Sequence, residues 1–365
     1  MKILITGANS FIGKNLKAEL INRKFTDILE INDCDNTELL KKYIDQSDFI
    51  FHLLTLYKSD NEYDFHHINV DITKIIVDLI GSNQKSLLLL SSTQSGNNSM
   101  YGQSKLHAEE IVKNWRDITG NSAYIFNLAN EFGKWCPPNL NSVVATFCSK
   151  IANALDIKIN CFSAPLRLMY IDDIIDSFIS VFDKANKELY QEISPVYEIA
   201  VGELAEIIQS FEQMRKESNI PNMENGMIKK LYSTYLSYLP SNLLSTPLIS
   251  HYDIRGSFTE VFHFGGMGQI SINISKSGIT KGNHWHHTKN EKFVVVSGSG
   301  IIRLRKVGES EIREYQVNGN RIEVIDIPPG YTHNITNTGN TDMITIMWAN
   351  ENFNPMKSDT YIEEV

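Results

Sequence analysis

Cysteine is scarce in this sequence and shows no pairing pattern. None of the four cysteines, Cys34, Cys136, Cys148 and Cys161, belongs to a CxxC motif, and none lies beyond residue 161. This argues against a disulfide scaffold and against a zinc site made of thiolates. The pattern is typical of a reducing compartment, and we expect a cytoplasmic protein.

Long apolar runs and an excess of positive charge are also missing. No run approaches the roughly 18–20 residues that span a bilayer, and the opening residues MKILITG follow no signal-peptide pattern. The formal net charge is -9, so we expect neither nucleic acid nor an anionic membrane as a partner. An anionic substrate would need a local basic pocket.

What is present predicts two domains of different class, α/β followed by all-β. A chain of 365 residues is too long for one ordinary core. Before residue 200, short apolar runs alternate with helical periods, which is typical of a doubly wound, Rossmann-type parallel sheet. After residue 250, strand-like runs recur between Gly, Asn and Pro turns, which indicates an antiparallel sandwich or barrel. We place the boundary between residues 1–243 and 244–365.

A glycine-containing turn follows the first predicted strand (2–6) and leads into a predicted helix. Gly7 and Gly13 allow the backbone to approach a pyrophosphate, and the helix N-terminus supplies N–H groups to it. Ser10 replaces the middle glycine of the usual fingerprint, so a helix-start turn with incidental glycines is the alternative. The predicted dinucleotide site comprises Gly7, Asn9, Ser10, Phe11, Ile12, Gly13, Leu53, Tyr101 and Lys105.

The choice between NAD and NADP stays open. The second predicted strand ends in Glu30-Ile31-Asn32-Asp33, without an arginine that would receive a 2′-phosphate. This favours NAD by charge, with NADP as the alternative.

Tyr101 and Lys105 lie four residues apart at the start of a predicted helix, so their side chains share one face. The preceding strand ends in Ser91-Ser92-Thr93. An ammonium beside a phenol lowers the phenol's pKa, and a strand-end hydroxyl holds a substrate oxygen. Together these groups pass a proton to a carbonyl that receives a hydride. An exposed helical pair without function is the alternative.

The sequence after residue 277 predicts a metal centre. His284 and His286, two apart on a strand, point to the same face, Glu291 starts the next strand, and His333 arrives from a distant one. Three imidazoles and a carboxylate are ligands for a divalent ion and leave a position open for water or substrate. We choose Zn²⁺ among Zn, Fe, Mn and Ni. A polar loop without metal and a purely structural ion are the alternatives.

The N-terminal motifs resemble those of extended short-chain dehydrogenase/reductases. By this resemblance Tyr101 is the catalytic acid, Lys105 is its partner, and Thr93 (or Ser92) is the hydroxyl that orients the substrate.

The C-terminal motifs, at 278–298 and 328–337, resemble the two-part pattern of the cupins, which implies a double-stranded β-helix barrel. The segment DIRGSFTE (253–260) resembles the DxRGxFxE segment of nucleotide-deoxysugar epimerases. That resemblance implies that Arg255 grips a diphosphate, Phe258 packs near the base and Glu260 hydrogen-bonds to the substrate.

Across its full length the chain resembles the capsular-polysaccharide CapF family, most specifically at 132–152, 231–240 and 279–298. These are bifunctional UDP-2-acetamido-2,6-dideoxy-hexulose epimerase/reductases. The resemblance implies that the cupin half inverts C3 beside a 4-keto group. The reductase half then reduces the ketone with NAD(P)H to UDP-N-acetyl-6-deoxy-L-talosamine, on the route to UDP-N-acetyl-L-fucosamine. It also implies a homodimer.

Two points stay open after this comparison of motifs. His287, Lys281 and Tyr331 are the remaining titratable groups near the metal motifs and are candidates for the epimerase base. The alternatives to a bifunctional enzyme are a cupin epimerase with a degenerate, weakly cofactor-binding reductase half, motivated by Ser10, Leu54 and Asn127, and a non-catalytic nucleotide-sugar binding protein.

Overall fold

The computed structural model describes residues 1–32, 34–183, 188–354 and 356–365. The chain divides into two compact units. The first comprises Met1–Ile208 and Lys230–Leu239, and the second comprises Gln209–Lys229 and Pro240–Val365. The second unit therefore resumes at Pro240, where the sequence predicts residue 244. It also takes in 209–229, which the prediction assigns to the first domain.

Backbone hydrogen bonds explain why residues 209–229 group with the second unit. The Ile220 N–H donates to the His263 carbonyl at 2.8 Å, and the His263 N–H donates to the Ser218 carbonyl at 3.0 Å. The segment is thus paired with backbone more than forty residues later. Helical periodicity, the signal visible in the sequence, carries no information about such a distant partner.

The first unit consists of strands connected by helices. Its strands are β1 (Ile3–Thr6), β2 (Ile28–Ile31), β3 (Phe49–His52), β4 (Ser86–Ser92), β5 (Ser122–Leu128), β6 (Asn130–Phe132), β7 (Pro165–Tyr170), β8 (Tyr190–Gln191) and β9 (Tyr197–Ala200). Its helices are α1 (Phe11–Asn22), α2 (Thr37–Gln46), α3 (Glu62–Phe65), α4 (Ile72–Ile80), α5 (Met100–Thr119), α6 (Val143–Ala152) and α7 (Ile171–Ser180), with a π-helical turn at His66–Asp71 and a 3₁₀ turn at Val181–Asp183. Two of the three unit boundaries fall within α8 (Val201–Lys216) and α9 (Gly226–Leu236), and the third follows Leu239.

The main sheet of this unit is parallel throughout, in the order β2-β1-β3-β4-β5-β8. A smaller sheet has the order β6-β7-β9. Along β1 the side chains alternate between two cores. Ile3 and Ile5 belong to the cluster that contains Leu16 of α1, and Leu4 belongs to the cluster that contains Ile76 of α4. Both faces of the sheet are therefore covered, and the prediction of a Rossmann-type doubly wound sheet is confirmed.

The described elements of the second unit are β-strands, apart from short 3₁₀ turns at Ser241–Leu243 and Gly265–Met267 and the parts of α8 and α9 that lie within residues 209–229. The strands are β10 (Ser250–Asp253), β11 (Gly256–His263), β12 (Gln269–Ser275), β13 (Thr280–Trp285), β14 (Glu291–Ser297), β15 (Ser299–Lys306), β16 (Ile312–Asn318), β17 (Ile325–Ile327), β18 (Tyr331–Asn337), β19 (Met343–Ala349) and β20 (Tyr361–Ile362).

These strands form two sheets, in the orders β10-β11-β12-β19-β14-β17 and β16-β15-β18-β13-β20. All their recorded pairings are antiparallel. The core draws on both, with Phe293 and Val295 from the first and Ile302, Leu304 and Ile335 from the second. The prediction of an all-β C-terminal region is therefore confirmed. Among the described helices, none combines the length and apolar character required to cross a bilayer.

Gly13 packs α1 against the turn that follows β1. A Cβ at this position would lie 2.4 Å from the Gly7 carbonyl oxygen and 2.7 Å from that of Ala8. Both obstacles are backbone atoms, which cannot rotate away as a side chain can. Glycine is therefore required here by space.

We expect Gly13→Ala to destabilise the first unit by about 1–3 kcal/mol, the usual cost of forcing atoms into a packed site. Thermal unfolding followed by circular dichroism measures the change. Gly266→Ala is the matched control, because a Cβ there meets nothing within 4 Å. Equal stability of the two variants would contradict the packing argument.

Candidate functional site

The turn after β1 brings the predicted dinucleotide-binding residues together at the N-terminus of α1. Gly7 has a positive φ of 68°, and a Cβ there would lie 2.9 Å from the Leu54 nitrogen. The backbone after β3 thus approaches this turn closely. Leu53 belongs to the same contact, since its N–H donates to the Thr6 carbonyl at 3.2 Å.

Ser10 has a structural role that its departure from the glycine fingerprint does not suggest. It is the N-cap of α1, and its Oγ accepts a hydrogen bond from the Gly13 N–H at 3.0 Å. A serine N-cap stabilises a helix start, so the turn stays ordered without the middle glycine. Asn9 is exposed, with its N–H bonded to the Asn32 side chain at 2.7 Å. Ile12 is buried in the core, and Phe11 is half-buried at its edge.

Among the described residues, β2 has no Lys or Arg side chain that could bind the 2′-phosphate of NADP. Glu30 forms an ion pair with Lys17 at 2.6 Å, and Asp33 lies outside the described residues. Gly7 and Gly13 fit the close approach of a dinucleotide, whereas the preference between NAD and NADP stays a prediction.

Tyr101 lies in the first turn of α5 and is half-buried. Burial raises the pKa of its phenol to about 12, although a hydrogen bond with Ser92 lowers it. The phenol therefore holds its proton at neutral pH. Thr93, the hydroxyl that we predicted for this role, is exposed, and its recorded bond is from its backbone N–H to the Leu128 carbonyl at 2.8 Å. Ser92, given only as the alternative, is the residue that reaches the phenol.

Lys105 is buried one turn further along α5. Its Nζ donates to the Leu90 carbonyl at 2.6 Å and to the Thr55 hydroxyl at 3.1 Å. Burial lowers the pKa of Lys105 to about 8. The sequence argument expected this ammonium to lower the pKa of Tyr101, but the dominant effect on the phenol is its own burial. Lys105 is directed toward the end of β4 and Thr55.

Glu131 on β6 joins this group and was missed in the sequence. Burial raises the pKa of its carboxyl to about 7, while the charge of Lys105 opposes the rise. Its negative charge raises the pKa of Tyr101 and of Tyr57 in turn. Tyr57 packs with its ring centroid 6.3 Å from that of Tyr101. The available signal was position, because Glu131 follows β5 at the carboxyl edge of the parallel sheet, where ligands of such folds bind.

In the second unit, the four predicted metal ligands converge. His284, His286, Glu291 and His333 each offer one ligand atom, and these atoms all lie within 4.8 Å of one another. Pairing of β13 with β18 places His284 opposite His333, and the register shifts between Gly282 and His284. The resulting bulge, with Asn283 at a positive φ of 59°, turns His284 toward the other ligands.

The polar atoms of this cluster are buried and lack hydrogen-bond partners among the described residues. They are His286 Nε2, Glu291 Oε2 and both ring nitrogens of His333. Glu291 Oε2 lies 3.2 Å from His333 Nε2 and 3.5 Å from His286 Nε2. Burying such groups without partners is costly, and a divalent cation would bind His286 Nε2, Glu291 Oε2 and one ring nitrogen of His333. The donor set and its spacing therefore fit a metal ion of the zinc type.

Electrostatics keep this cluster in the state that a cation requires. Burial lowers the pKa of His284 to about 4, and the nearby His333 adds to this shift. Burial alone would raise the pKa of Glu291, but His286, His333 and the Lys289 ammonium lower it well below its ordinary value. The imidazole of His284 is thus neutral and the carboxylate ionised at neutral pH.

Two adjoining cavities open at this cluster. One, of about 490 Å³, is lined by Arg255, Phe258 and Lys281 together with three of the candidate ligands, His284, Glu291 and His333. The other, of about 440 Å³, is lined by Phe258, Glu260 and Glu291. The structure therefore brings the predicted substrate residues to the metal candidates. His251 and Lys289 line both cavities and were not predicted.

Two of the three candidates for the epimerase base, Lys281 and His287, are placed differently from our expectation. The Lys281 ammonium donates to the Asn273 side chain at 2.7 Å and to the Ile274 carbonyl at 2.8 Å, so it serves as a donor in the cavity wall. His287 is exposed, and its ring packs edge-on against Trp285 and Tyr361, outside both cavities. His287 does not join the site.

Arg255 lies at the mouth of the larger cavity and is held by Asp253. Its Nε and Nη2 donate to Asp253 Oδ2 at 2.9 and 2.6 Å. This contact orients the guanidinium and leaves its other N–H groups for an anionic ligand.

Comparison with known proteins finds relatives for both parts of the chain. The model of the NAD dependent epimerase/dehydratase family matches residues 3–200, and that of the polysaccharide biosynthesis C-terminal domain matches residues 251–361. The crystal structure of the capsular polysaccharide assembling protein CapF from Staphylococcus aureus has 45% sequence identity and a TM-score of 0.91, with 100% of both chains covered. The chain belongs to the CapF family. A structure of CapF with the inhibitor 3-isopropenyl-tropolone has 43% identity and a TM-score of 0.86, again over the full length of both chains.

A curated CapF-family relative extends the likeness to an enzyme. It is a Pseudomonas aeruginosa protein named UDP-2-acetamido-2,6-beta-L-arabino-hexul-4-ose reductase. The identity is 38% over 364 residues, which covers 99% of this chain and 98% of the relative.

We expect Zn²⁺ to raise the melting temperature of the wild-type protein, because an ion that binds only the folded state stabilises it, by about 2.7 kcal/mol at a hundredfold excess over Kd. In His333→Ala the rise should disappear. His287→Ala, which removes a neighbouring imidazole outside the cluster, should keep it. Differential scanning calorimetry with elemental analysis checks this, and a wild-type protein without any ion-dependent shift would refute the assignment.

Proposed function

We propose that this chain is a bifunctional nucleotide-sugar enzyme. In this proposal the C-terminal unit epimerises C3 of a UDP-2-acetamido-2,6-dideoxy-4-keto-hexose. The N-terminal unit then reduces the C4 ketone with NAD(P)H to UDP-N-acetyl-6-deoxy-L-talosamine, toward UDP-N-acetyl-L-fucosamine. The observation that carries it is the Tyr101 phenol, which keeps its proton at neutral pH because burial raises its pKa, one helical turn before the buried Lys105 of α5. It stands in a chain that resembles a UDP-hexulose reductase over its full length.

The reductase half needs an acid, a hydroxyl that orients the ketone, and a fixed positive charge. Tyr101, with its raised pKa, is the acid that gives a proton to the C4 oxygen. Ser92 holds the same oxygen by a hydrogen bond, and Lys105 supplies the charge that stabilises the phenolate left behind. The Gly7–Gly13 turn would hold the pyrophosphate of a dinucleotide, whose nicotinamide would supply the hydride.

For the C-terminal unit we propose a cupin barrel that binds Zn²⁺ through His284, His286, Glu291 and His333. A divalent ion held by these residues would act as a Lewis acid toward a carbonyl oxygen and so make the neighbouring C–H more acidic. A tropolone, which carries adjacent oxygen atoms that chelate metal ions, is a suitable ligand for such a site, and this accords with the inhibitor bound by the related CapF.

The epimerase base is reassigned in this proposal from His287 and Lys281 to His251. His251 lines both cavities, whereas His287 lines neither of them. Lys281 and Lys289 supply positive charge in the cavity walls. Arg255 binds the diphosphate of the substrate, Phe258 packs against its nucleobase, and Glu260 hydrogen-bonds to one of its hydroxyl groups. The proposal also includes a homodimer and a nicotinamide cofactor that is either NAD or NADP.

Incubation of the 4-keto substrate in heavy water, with and without NADPH, tests the function by proton NMR. Without the nicotinamide we expect deuterium at C3, and with it we expect the 4-hydroxy product. Tyr101→Phe should abolish reduction and keep deuterium incorporation, whereas His251→Gln should slow incorporation at least tenfold. An unlabelled, unreduced sugar in both arms would overturn the proposal, and it would favour a binding protein instead.

Ser92→Ala should lower kcat for reduction by about 10²-fold, since the hydroxyl positions the phenol and the ketone oxygen. Thr93→Ala removes the neighbouring exposed hydroxyl and should stay within about twofold of the wild type. Stopped-flow measurement of nicotinamide oxidation distinguishes the two. A reversed order of the effects would return the role to Thr93.

A further inference from the structure

The last residues of the chain lie along the strand that carries the candidate metal ligands. β20 pairs with β13, with Ile362 opposite His284 and Tyr361 opposite Trp285. The rings of Trp285 and Tyr361 stack with centroids 4.9 Å apart. The segment around β20 is thus an ordered part of the second unit, paired with β13.

Asp359, just before β20, organises the turn that follows β13. Its Oδ1 accepts a hydrogen bond from the His287 N–H at 3.0 Å. Its Oδ2 accepts from the backbone N–H groups of Thr288 and Lys289 at 2.8 and 3.0 Å, and from the Thr288 hydroxyl at 3.1 Å. One carboxylate therefore binds four donors of three consecutive residues. That turn connects the candidate ligands His286 and Glu291.

The backbone of the same residue contacts the metal candidate itself. The Asp359 carbonyl is hydrogen-bonded to His286 Nδ1. Because a carbonyl only accepts, Nδ1 carries the proton, and Nε2 presents its lone pair. Nε2 is the atom that faces Glu291 without a hydrogen-bond partner. Such a bond to the second nitrogen fixes both the tautomer and the ring orientation of a metal-binding histidine.

The same turn also sets the position of Lys289. Its backbone is held by Asp359, and its ammonium lies 3.3 Å from Glu291 Oε1, whereas His286 and His333 contact the other carboxylate oxygen, Oε2. Displacement of the turn would therefore disturb His286 and the surroundings of Glu291 together.

We propose that Asp359 is the positioning residue of the metal centre, which holds the 287–289 turn through its carboxylate and presents His286 Nε2 to a divalent cation through its carbonyl. The inference rests on the proposed metal site and deepens it. It assigns a role to a residue far from the histidine motifs in sequence.

The test compares Asp359→Ala with Glu364→Ala in the full-length protein. Glu364 is an exposed carboxylate of the same segment, so both variants lose one negative charge there. Zn²⁺ affinity is measured by chelator competition, and Co²⁺ absorption in the visible range reports ligand geometry. We expect Asp359→Ala to weaken Zn²⁺ binding 10–100-fold, the usual effect of losing an outer partner of a ligand. Its Co²⁺ spectrum should change, while Glu364→Ala should match the wild type in both measurements.

Asp359→Asn keeps the side chain's shape and one acceptor oxygen. This variant should lose less Zn²⁺ affinity than Asp359→Ala. It is used instead of Asp359→Ala if circular dichroism shows that the alanine variant is unfolded. Folded Asp359 variants with wild-type Zn²⁺ affinity and an unchanged Co²⁺ spectrum would overturn the positioning role alone. A wild-type protein that binds neither ion would overturn the metal centre, and the positioning role with it.

Discussion

The second unit depends on the burial of polar atoms that have no hydrogen-bond partner among the described residues. Three imidazoles and a carboxylate meet where β13, β14 and β18 come together. Each unsatisfied group costs about 1–3 kcal/mol when buried, so the arrangement is stable only if the surrounding sheets hold it firmly or a ligand satisfies it. The bulge at Asn283 and the antiparallel pairing of β13 with β18 are the elements that bring the ligands to one point.

Burial also sets the charges of the first unit, although there it acts on groups that do have partners. It raises the pKa of the Tyr101 phenol and lowers the pKa of the Lys105 ammonium. It also raises the pKa of the Glu131 carboxyl to about 7. Three ionisable groups at the carboxyl edge of one parallel sheet thus have pKa values displaced from their ordinary values. Such displacement is typical of catalytic sites.

The features that followed from the sequence are those with a short-range signal. Alternating strands and helices predicted the parallel sheet, and the HxH spacing with its downstream glutamate and histidine predicted the metal ligands. Ser92 and Thr93 are adjacent, so spacing does not distinguish them, but Ser92 is the buried last residue of β4, whereas Thr93 follows the strand and is exposed. Asp359 and Glu131 could not be found by spacing, because the chain brings them to their partners from distant elements. The surroundings of Lys281 and His287 likewise depend on tertiary packing.

The chain passes between the two compact units three times, at 208–209, 229–230 and 239–240. A fragment that ended at residue 243 would retain 209–229 without the His263 backbone to which it is paired. The complementary fragment would leave the N–H and carbonyl groups of His263 on β11 without these partners. Limited proteolysis or gene dissection at a single point would therefore leave neither half whole, and the contributions of the two halves are better separated by point substitutions in an intact chain.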